Sequence, residues 1–196
     1  MGFQLRGRVI FFATGNFNKF NEARKILAEY KIAGGMLRVK ASEIQSESSE
    51  EIAKASVKEA FERCHLPVIV EDAGLHVDAL NGFPGPYAAY VYKTIGNKGL
   101  LRLMENVEYR KAKFRSVVAY YSGELELPIC FVGEAIGEIT KEAREGDYRS
   151  GFGFDPIFKP ANSHKTFAEM GVSQKNMYSH RAQALRTFAE WYKTPQ

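Results

Sequence analysis

Residues Val9–Lys19 read VIFFATGNFNK, an apolar run followed by a turn that contains a glycine. The run Val9–Phe12 is long enough for a buried β-strand. Behind the turn, apolar residues recur at steps of three and four, which predicts an amphipathic helix. These residues are Phe17, Phe20, Ala23, Ile26, Leu27 and Tyr30. A strand, a turn and a helix in this order indicate an α/β fold.

The turn has the features of a phosphate-binding loop. A strand–turn–helix unit directs backbone N–H groups and the positive end of a helix dipole at one point. Gly15 lets a backbone approach an oxyanion closely. Thr14 and Asn16 add side-chain donors, and Lys19 adds a positive charge in the first turn of the helix. The alternative is an ordinary connection in which Asn16 or Asn18 only caps the helix.

The composition is that of a globular protein with one domain, or two lobes that share a core. The chain has 196 residues, of which 45% are hydrophobic, and 27 basic residues against 23 acidic ones give a net charge of +4. This excess is too small to predict a nucleic-acid-binding protein, although a basic pocket for a small polyanion is compatible with it. The spacing of Cys64 and Cys130 matches neither a metal-binding motif nor a redox motif. The sequence shows neither a signal peptide nor an apolar run long enough to span a membrane. We therefore expect a cytoplasmic protein that contacts neither membrane nor nucleic acid.

Hydrophobic periodicity and turn residues divide the first half of the chain. We expect the first helix to end near the Gly34–Gly35 pair, and a strand to follow over Met36–Lys40. A second helix should begin near Ser49 and run to about Arg63. Leu66–Val70 predicts a further buried strand.

The middle of the chain predicts two helices and then two strands. The helices are expected over Ala88–Tyr92 and Gly99–Glu105, and the strands over Lys113–Tyr121 and Leu127–Ile139. Consecutive strands are most simply antiparallel, so we expect a mixed sheet flanked by helices. The aromatic residues near Gly82–Tyr87 are either packing residues or a dimer surface.

Two acidic residues follow the predicted strand at Leu66–Val70. Ligands of α/β folds bind at the carboxyl ends of strands, so Glu71 and Asp72 are candidates for metal ligation or for a general base. Successive strand residues point to opposite faces, and the two side chains should therefore not act as one pair. The alternative is a turn with surface acids.

The last third of the chain contains a dense cluster of candidate residues. In Gly151–Pro156, an aromatic ring can stack on a planar base while Asp155 accepts hydrogen bonds from it. Ser179 is a plausible N-cap of the C-terminal helix, which would place His180 and Arg181 in its first turn. Each of these residues taken alone is more often a surface or core residue, but the combination favours a site.

Together these motifs resemble the inosine triphosphate pyrophosphatase family, the enzymes that remove non-standard purine nucleoside triphosphates. The matching segments occur in the family's order and cover Val9 to about Arg186. They are Thr14-Gly15-Asn16 with Lys19, Glu43-Ile44-Gln45, Glu71-Asp72, Gly82–Gly85, Phe152–Pro156, Lys175-Asn176 and Ser179-His180-Arg181.

The resemblance implies an Mg²⁺-dependent cleavage of ITP, dITP or XTP between the α- and β-phosphates, in a cleft between two lobes of a single domain, residues 1–196. It implies that Glu43 and Asp72 hold Mg²⁺, that Asp72 is also the proton acceptor, and that the protein is a homodimer. The other residues that it assigns to substrate binding are Thr14, Gly15, Asn16, Lys19, Ala73, Phe152, Gly153, Phe154, Asp155, Lys175, His180 and Arg181.

Selection of the base would follow from hydrogen-bond complementarity. Donors from His180, Arg181 or the nearby backbone would pair with the C6 carbonyl of hypoxanthine or xanthine and would face another donor in adenine. A buried unpaired donor costs about 1–3 kcal/mol, so two mismatches would reject ATP by about 10²-fold. One departure from the family is Ser56, which stands where many members have a lysine; Lys54 and Lys58 flank it.

Two other functions would explain part of the sequence pattern. A flavodoxin-like FMN carrier also uses a Thr-Gly-Asn turn for phosphate, but it would not need Glu43, Asp72 or the Ser179–Arg181 cluster. A nucleic-acid-binding module is suggested by the pI near 9 and the aromatic residues, and salt-sensitive oligonucleotide binding without pyrophosphate release would support it. Neither accounts for the ordered set of motifs.

Overall fold

The computed structural model describes residues 8–39, 44–146 and 152–194. Its strands are β1 (Arg8–Ala13), β2 (Ile32–Leu37), β3 (Val68–Val77), β4 (Pro84–Gly85), β5 (Lys111–Tyr121), β6 (Ile129–Ile139) and β7 (Phe158–Pro160). Its α-helices are α1 (Phe17–Glu29), α2 (Ser49–Cys64), α3 (Ala88–Thr94), α4 (Gly96–Leu103), α5 (Val172–Tyr178) and α6 (His180–Lys193). Within these ranges no helix is long and apolar enough to cross a membrane.

The strands form one mixed sheet in the order β2-β1-β3-β5-β6-β7, and β4 pairs with β3. The pairs of β1 with β2 and β3 are parallel, and the remaining pairs are antiparallel. The prediction of a mixed α/β sheet flanked by helices is confirmed, and β5 and β6 form the predicted antiparallel pair. The helices expected near Ala88 and Gly99 are also present, as α3 and α4.

Helices cover both faces of the sheet. On one face, α1 and α6 bury a cluster that includes Phe12, Ile69 and Phe188. On the other, α2 packs Val57 against Val117. A third cluster fills the antiparallel end of the sheet, beneath α3 and α4.

The prediction for the chain after α1 was wrong. The helix ends at Glu29, and Gly34 and Gly35 lie inside β2 rather than at a helix stop. A Cβ atom on Gly35 would lie 2.8 Å from the ring of Phe11, so this glycine makes room for a neighbouring aromatic side chain. Packing between strands, rather than helix termination, explains the glycine pair.

The strand that carries the acidic pair is also longer than predicted. β3 does not stop at Val70 but continues to Val77, because β5 pairs with it from Val68 to Val77. On its other edge, the pairing with β1 reaches Ile69 and the pairing with β4 begins at Leu75. Glu71 and Asp72 therefore lie within a strand, next to a gap between two partner strands.

Candidate active site

The turn between β1 and α1 combines a helix cap with open space. Asn16 is the N-cap of α1, and its Oδ1 accepts hydrogen bonds from the backbone N of Asn18 (2.9 Å) and of Lys19 (3.2 Å). Thr14 Oγ1 accepts one from the backbone N of Asn16 at 3.1 Å. A Cβ atom on Gly15 would meet no other atom within 4 Å. Asn16 does cap the helix, and the exposed Gly15 leaves room for a bound group.

Lys19 reaches from α1 across to the gap beside β3. Its Nζ lies 2.9 Å from Oε2 of Glu71 and donates to the Glu71 backbone oxygen at 3.2 Å. The side chain is 22% exposed, whereas that of Glu71 is completely buried. The lysine is thus held by β3 and still borders solvent.

A buried network of ion pairs extends from this point to the C-terminal helix. Arg181 Nε lies 3.1 Å from Oε1 of Glu71, and its NH1 donates to Oε2 of Glu22. Lys175 Nζ lies 2.7 Å from Oε1 of Glu22 and 2.6 Å from Oδ2 of Asp155. Three carboxylates and three cations therefore alternate through the protein interior.

The pairing keeps two of these acids ionised. Burial alone would raise the pKa of Glu71, but Arg181 and Lys19 outweigh it and hold that pKa well below its usual range. Burial also opposes ionisation of Glu22, and Lys175 and Arg181 together lower the pKa of that carboxyl. For Asp155 the effect of burial dominates and raises the pKa, against the attraction of Lys175.

His180 is held in its neutral form. The imidazole is buried and stacks on Phe114, with ring centroids 4.7 Å apart and an interplanar angle of 11°. Burial lowers the pKa of His180 well below 6.5, and the nearby Arg181 lowers it further. Its Nδ1 is buried without a hydrogen-bond partner. A neutral imidazole with an unsatisfied nitrogen suits hydrogen bonding to a ligand.

Ser179 caps α6 as predicted, since its Oγ accepts a hydrogen bond from the backbone N of Ala182 at 3.1 Å. The cap fixes the first turn of the helix, and so the direction in which His180 and Arg181 project. This is a local relation between a hydroxyl and a backbone N–H group, which is why sequence alone indicates it.

The loop that contains Phe152 lies against two cations of the network, Lys175 and Arg181. The half-buried Phe152 ring has Lys175 Nζ 4.5 Å from its centroid and the Arg181 guanidinium at 5.4 Å. Gly153 has a positive φ of 62°, and a Cβ atom there would meet nothing within 4 Å. Phe154 is buried, and its ring packs against Tyr92. Among the described residues at the start of this loop, Phe152 and Gly153 are half-buried, whereas Phe154 is buried.

Asp155 points inward rather than toward solvent. It is 3% exposed, and its Oδ2 accepts the backbone N–H of Phe152 at 2.9 Å as well as contacting Lys175. The carboxylate therefore shapes the loop and fixes the lysine, whereas the role in base binding predicted for it stays a prediction.

Asp72 and its neighbours lie on β3 as the alternation of a strand requires. Glu71 faces α6, whereas Asp72 stands opposite Val117, which packs under α2. Asp72 and Ala73 are both half-buried.

Glu43, the other predicted metal ligand, and Gly151 lie outside the described residues. Among those described, no group of three or more His, Cys, Asp or Glu side chains could hold a metal.

Ser56, at the position where many family members have a lysine, lies on α2 together with Lys54 and Lys58. Ser56 is half-buried on α2, and Lys54 is exposed. Lys54 acts electrostatically on Cys130 of β6, a strand that lies beyond β3 and β5 from the β1 turn. Both Cys64 and Cys130 are free thiols.

Two members of the network were not predicted from the sequence. Ser116 Oγ donates to Oε1 of Glu71 at 2.7 Å, a contact between strands that only the β3–β5 pairing brings about. Glu22, by contrast, could have been identified from its position in the sequence. It follows Lys19 by three residues and precedes Ile26 by four, so it is a carboxylate on the apolar stripe of α1. A charged residue on a core-facing stripe indicates a buried ion pair.

Known proteins resemble this chain along nearly its whole length. The model of the Ham1 family matches residues 10–191. A dITP/XTP pyrophosphatase of Methanopyrus kandleri is 50% identical over 184 residues, which cover 94% of this chain and 96% of that protein. One of Thermococcus kodakarensis is 46% identical over 182 residues, covering 93% and 96%.

Solved structures agree with the sequence comparisons. The Ham1 protein of Staphylococcus aureus superposes with a TM-score of 0.79 at 29% identity, covering 95% of this chain and 98% of that one. A HAM1 protein of Coxiella burnetii gives a TM-score of 0.81 at 28% identity, covering 94% and 98%. Since the family model, the relatives and the folds all match over most of the chain, this protein belongs to the Ham1 family.

Proposed function

We propose that this protein hydrolyses non-standard purine nucleoside triphosphates such as ITP, dITP and XTP to the nucleoside monophosphate and pyrophosphate. The observation that carries the proposal is the shared carboxylate of Glu71, which contacts both Lys19 and Arg181. Glu71 thereby brings Lys19, which follows the open β1–α1 turn, next to the first turn of α6. A single nucleotide site would need these two parts to be adjacent. Relatives named dITP/XTP pyrophosphatase support the substrate class.

In this proposal the phosphates lie over the β1–α1 turn. Gly15 leaves the space, Thr14 and Asn16 line it, and Lys19 offsets negative charge that grows in the transition state. The base lies between Phe152 and the start of α6. There a neutral His180 and the fixed guanidinium of Arg181 favour a C6 carbonyl over the amino group of adenine.

Asp72 is proposed as the proton acceptor and, with Glu43, as the ligand of Mg²⁺. Its half-buried carboxylate lies beside the residue that holds Lys19, and carboxylate oxygens are suited to a hard cation. When bound, Mg²⁺ would neutralise phosphate charge and orient the attacking water. Asp72 would take the proton of that water as the water oxygen bonds to the α-phosphorus and the α–β phosphoanhydride bond breaks, with pyrophosphate as the leaving group.

Pyrophosphate release tests this proposal. ITP, XTP, dITP, GTP and ATP are each assayed with Mg²⁺ and with a chelator, using wild-type protein and Asp72→Asn. We expect release from the first three substrates, dependence on the metal, and a loss of about 10²-fold or more in kcat for the variant. Asp78→Asn changes an exposed acid directly after the same strand; it is the matched control and should keep its activity. Equal kcat values for Asp72→Asn and wild type would contradict the role of Asp72, and absence of pyrophosphate release by wild type from ITP, dITP and XTP would contradict the proposed function.

We also propose that the protein is a homodimer. Near β4 and α3, Phe83, Tyr87 and Tyr90 are 41%, 43% and 69% exposed, which is unusual for a set of neighbouring aromatic side chains. Sedimentation of wild type and Tyr90→Glu tests this. We expect a dimer that the added charge weakens, and a monomeric wild type at micromolar concentration would speak against it.

A further inference from the structure

We infer that Glu71 is a positioning residue that holds the phosphate end and the base end of the site in one fixed arrangement, an inference that rests on the function proposed above. The roles assigned so far give Glu71 no contact with substrate. Its side chain is nevertheless completely buried and paired with one cation from α1 and one from α6.

The two carboxylate oxygens are used separately. Oε2 lies 2.9 Å from Lys19 Nζ, and Oε1 lies 3.1 Å from Arg181 Nε and accepts the Ser116 hydroxyl at 2.7 Å. Lys19 also donates to the backbone oxygen of Glu71 at 3.2 Å. Since a carboxylate is a rigid planar group, this single side chain links the two cations directly.

The surroundings fix this side chain in turn. Glu71 lies within β3, whose pairing with β5 places Ser116 on the same face. Arg181 is fixed at a second point, because its NH1 donates to Glu22. Displacement of Glu71 would therefore shift both Lys19 and Arg181. Lys175 contacts Glu22 and Asp155 instead, and so belongs to the other half of the network.

The two cations differ in access. The side chain of Lys19 is 22% exposed and can meet an incoming phosphate, while that of Arg181 is 3% exposed. A charge change at Glu71 should thus act in two ways at once. It frees Lys19 at the phosphate end, and it loosens the guanidinium that discriminates between bases.

A purely structural role predicts something different. If Glu71 only neutralised buried charge, its loss would lower stability and reduce the use of ITP and ATP by the same factor. A positioning role predicts a change in the ratio of kcat/KM for ITP to kcat/KM for ATP.

The experiment compares wild type with Glu71→Gln, which keeps the shape and removes the charge. We expect the KM for ITP to rise by about tenfold or more and the ITP-to-ATP ratio to fall by about tenfold, as loss of a charged hydrogen bond would give. Glu134→Gln is the matched control. Glu134 also bridges two cations, Lys113 Nζ at 2.9 Å and Arg115 Nε at 3.4 Å, but its side chain is 34% exposed and contacts neither Lys19 nor Arg181, so both values should stay unchanged.

Each outcome is decisive. An equal loss for ITP and ATP in Glu71→Gln overturns the inference and leaves the proposed function standing. If that variant fails to fold, Glu71→Asp keeps the charge but shortens the reach, and an unchanged ratio in it overturns the inference equally. If wild-type protein releases no pyrophosphate from ITP, the proposed function itself fails, and the inference with it.

Discussion

Lys175 and Asp155 form an ion pair in the protein interior, with Nζ 2.6 Å from Oδ2 and side-chain exposures of 1% and 4%. The same ammonium group lies 2.7 Å from Glu22, so one lysine separates two buried carboxylates. Asp155 in turn accepts the backbone N–H of Phe152. The position of the aromatic loop therefore depends on a lysine near the end of the chain.

Replacing Lys175 by Met should destabilise the protein strongly. Two carboxylates would lose their common partner, and breaking a buried pair costs about 3–5 kcal/mol. Urea denaturation measures the free energy of unfolding. Lys159→Met is the control, because its pair with Glu138 is 28% and 51% exposed and should contribute less than about 1 kcal/mol. Similar losses for the two variants would contradict the prediction.

Gly15→Ala should affect substrate binding but not folding. A Cβ atom there meets no protein atom, so the free energy of unfolding should stay the same or rise by up to about 1 kcal/mol. The added methyl group would occupy space proposed for phosphate, and we expect the KM for ITP to rise about tenfold. Gly123→Ala, at a turn beside Phe61, serves as the control for KM. An unchanged KM in Gly15→Ala would place the phosphates elsewhere.

Gly153→Ala should have the opposite effect on stability. The space around Gly153 is also open, but its φ of 62° is strained for any residue with a Cβ atom. We expect a loss of about 1–2 kcal/mol in the free energy of unfolding. Gly153→Asn should lose less, because asparagine tolerates this backbone region. Equal stability of the alanine variant and wild type would show that the loop can relax.

His180 gives a pH dependence of stability. Its pKa in the folded protein is held well below 6.5 by burial and by Arg181, so the folded state stays neutral where the unfolded state binds a proton. The unfolded state therefore binds more protons below pH 6.5, and stability falls with decreasing pH by up to about 1.4 kcal/mol per unit. The contribution is fully present above that value.

Urea titrations at about pH 7.5 and about pH 5.5 measure this loss. His180→Gln should show a smaller pH dependence than wild type. His164→Gln, which removes an exposed histidine, should behave like wild type. If His180→Gln and wild type lose the same stability between the two pH values, then His180 is not the group responsible.

Local sequence patterns predicted much of this molecule. The period of α1, the cap at Ser179 and the alternation of Glu71 and Asp72 depend on neighbouring residues, and all three were found as expected. The mixed sheet also followed from consecutive strands late in the chain. These features need no knowledge of distant contacts.

The errors arose where distant segments decide the structure. β3 runs past Val70 because β5, about forty residues later, pairs with it, and no local signal marks that. Gly35 is needed because Phe11 packs against it. The ion pair of Asp155 with Lys175, twenty residues away, is a distant contact of the same kind, and base binding by Asp155 stays a prediction. Local propensity cannot report such contacts.

The faces of Glu71 and Asp72 depend on their positions along β3. Side chains of a strand alternate between the two faces of the sheet, so deleting a single residue between Val68 and Glu71 would exchange the faces of these two acids. The acid that anchors two cations would turn toward α2, and its neighbour would enter the charged interior in its place. The spacing from Val68 to Asp72 therefore determines which of the two acids enters the charged interior of this protein.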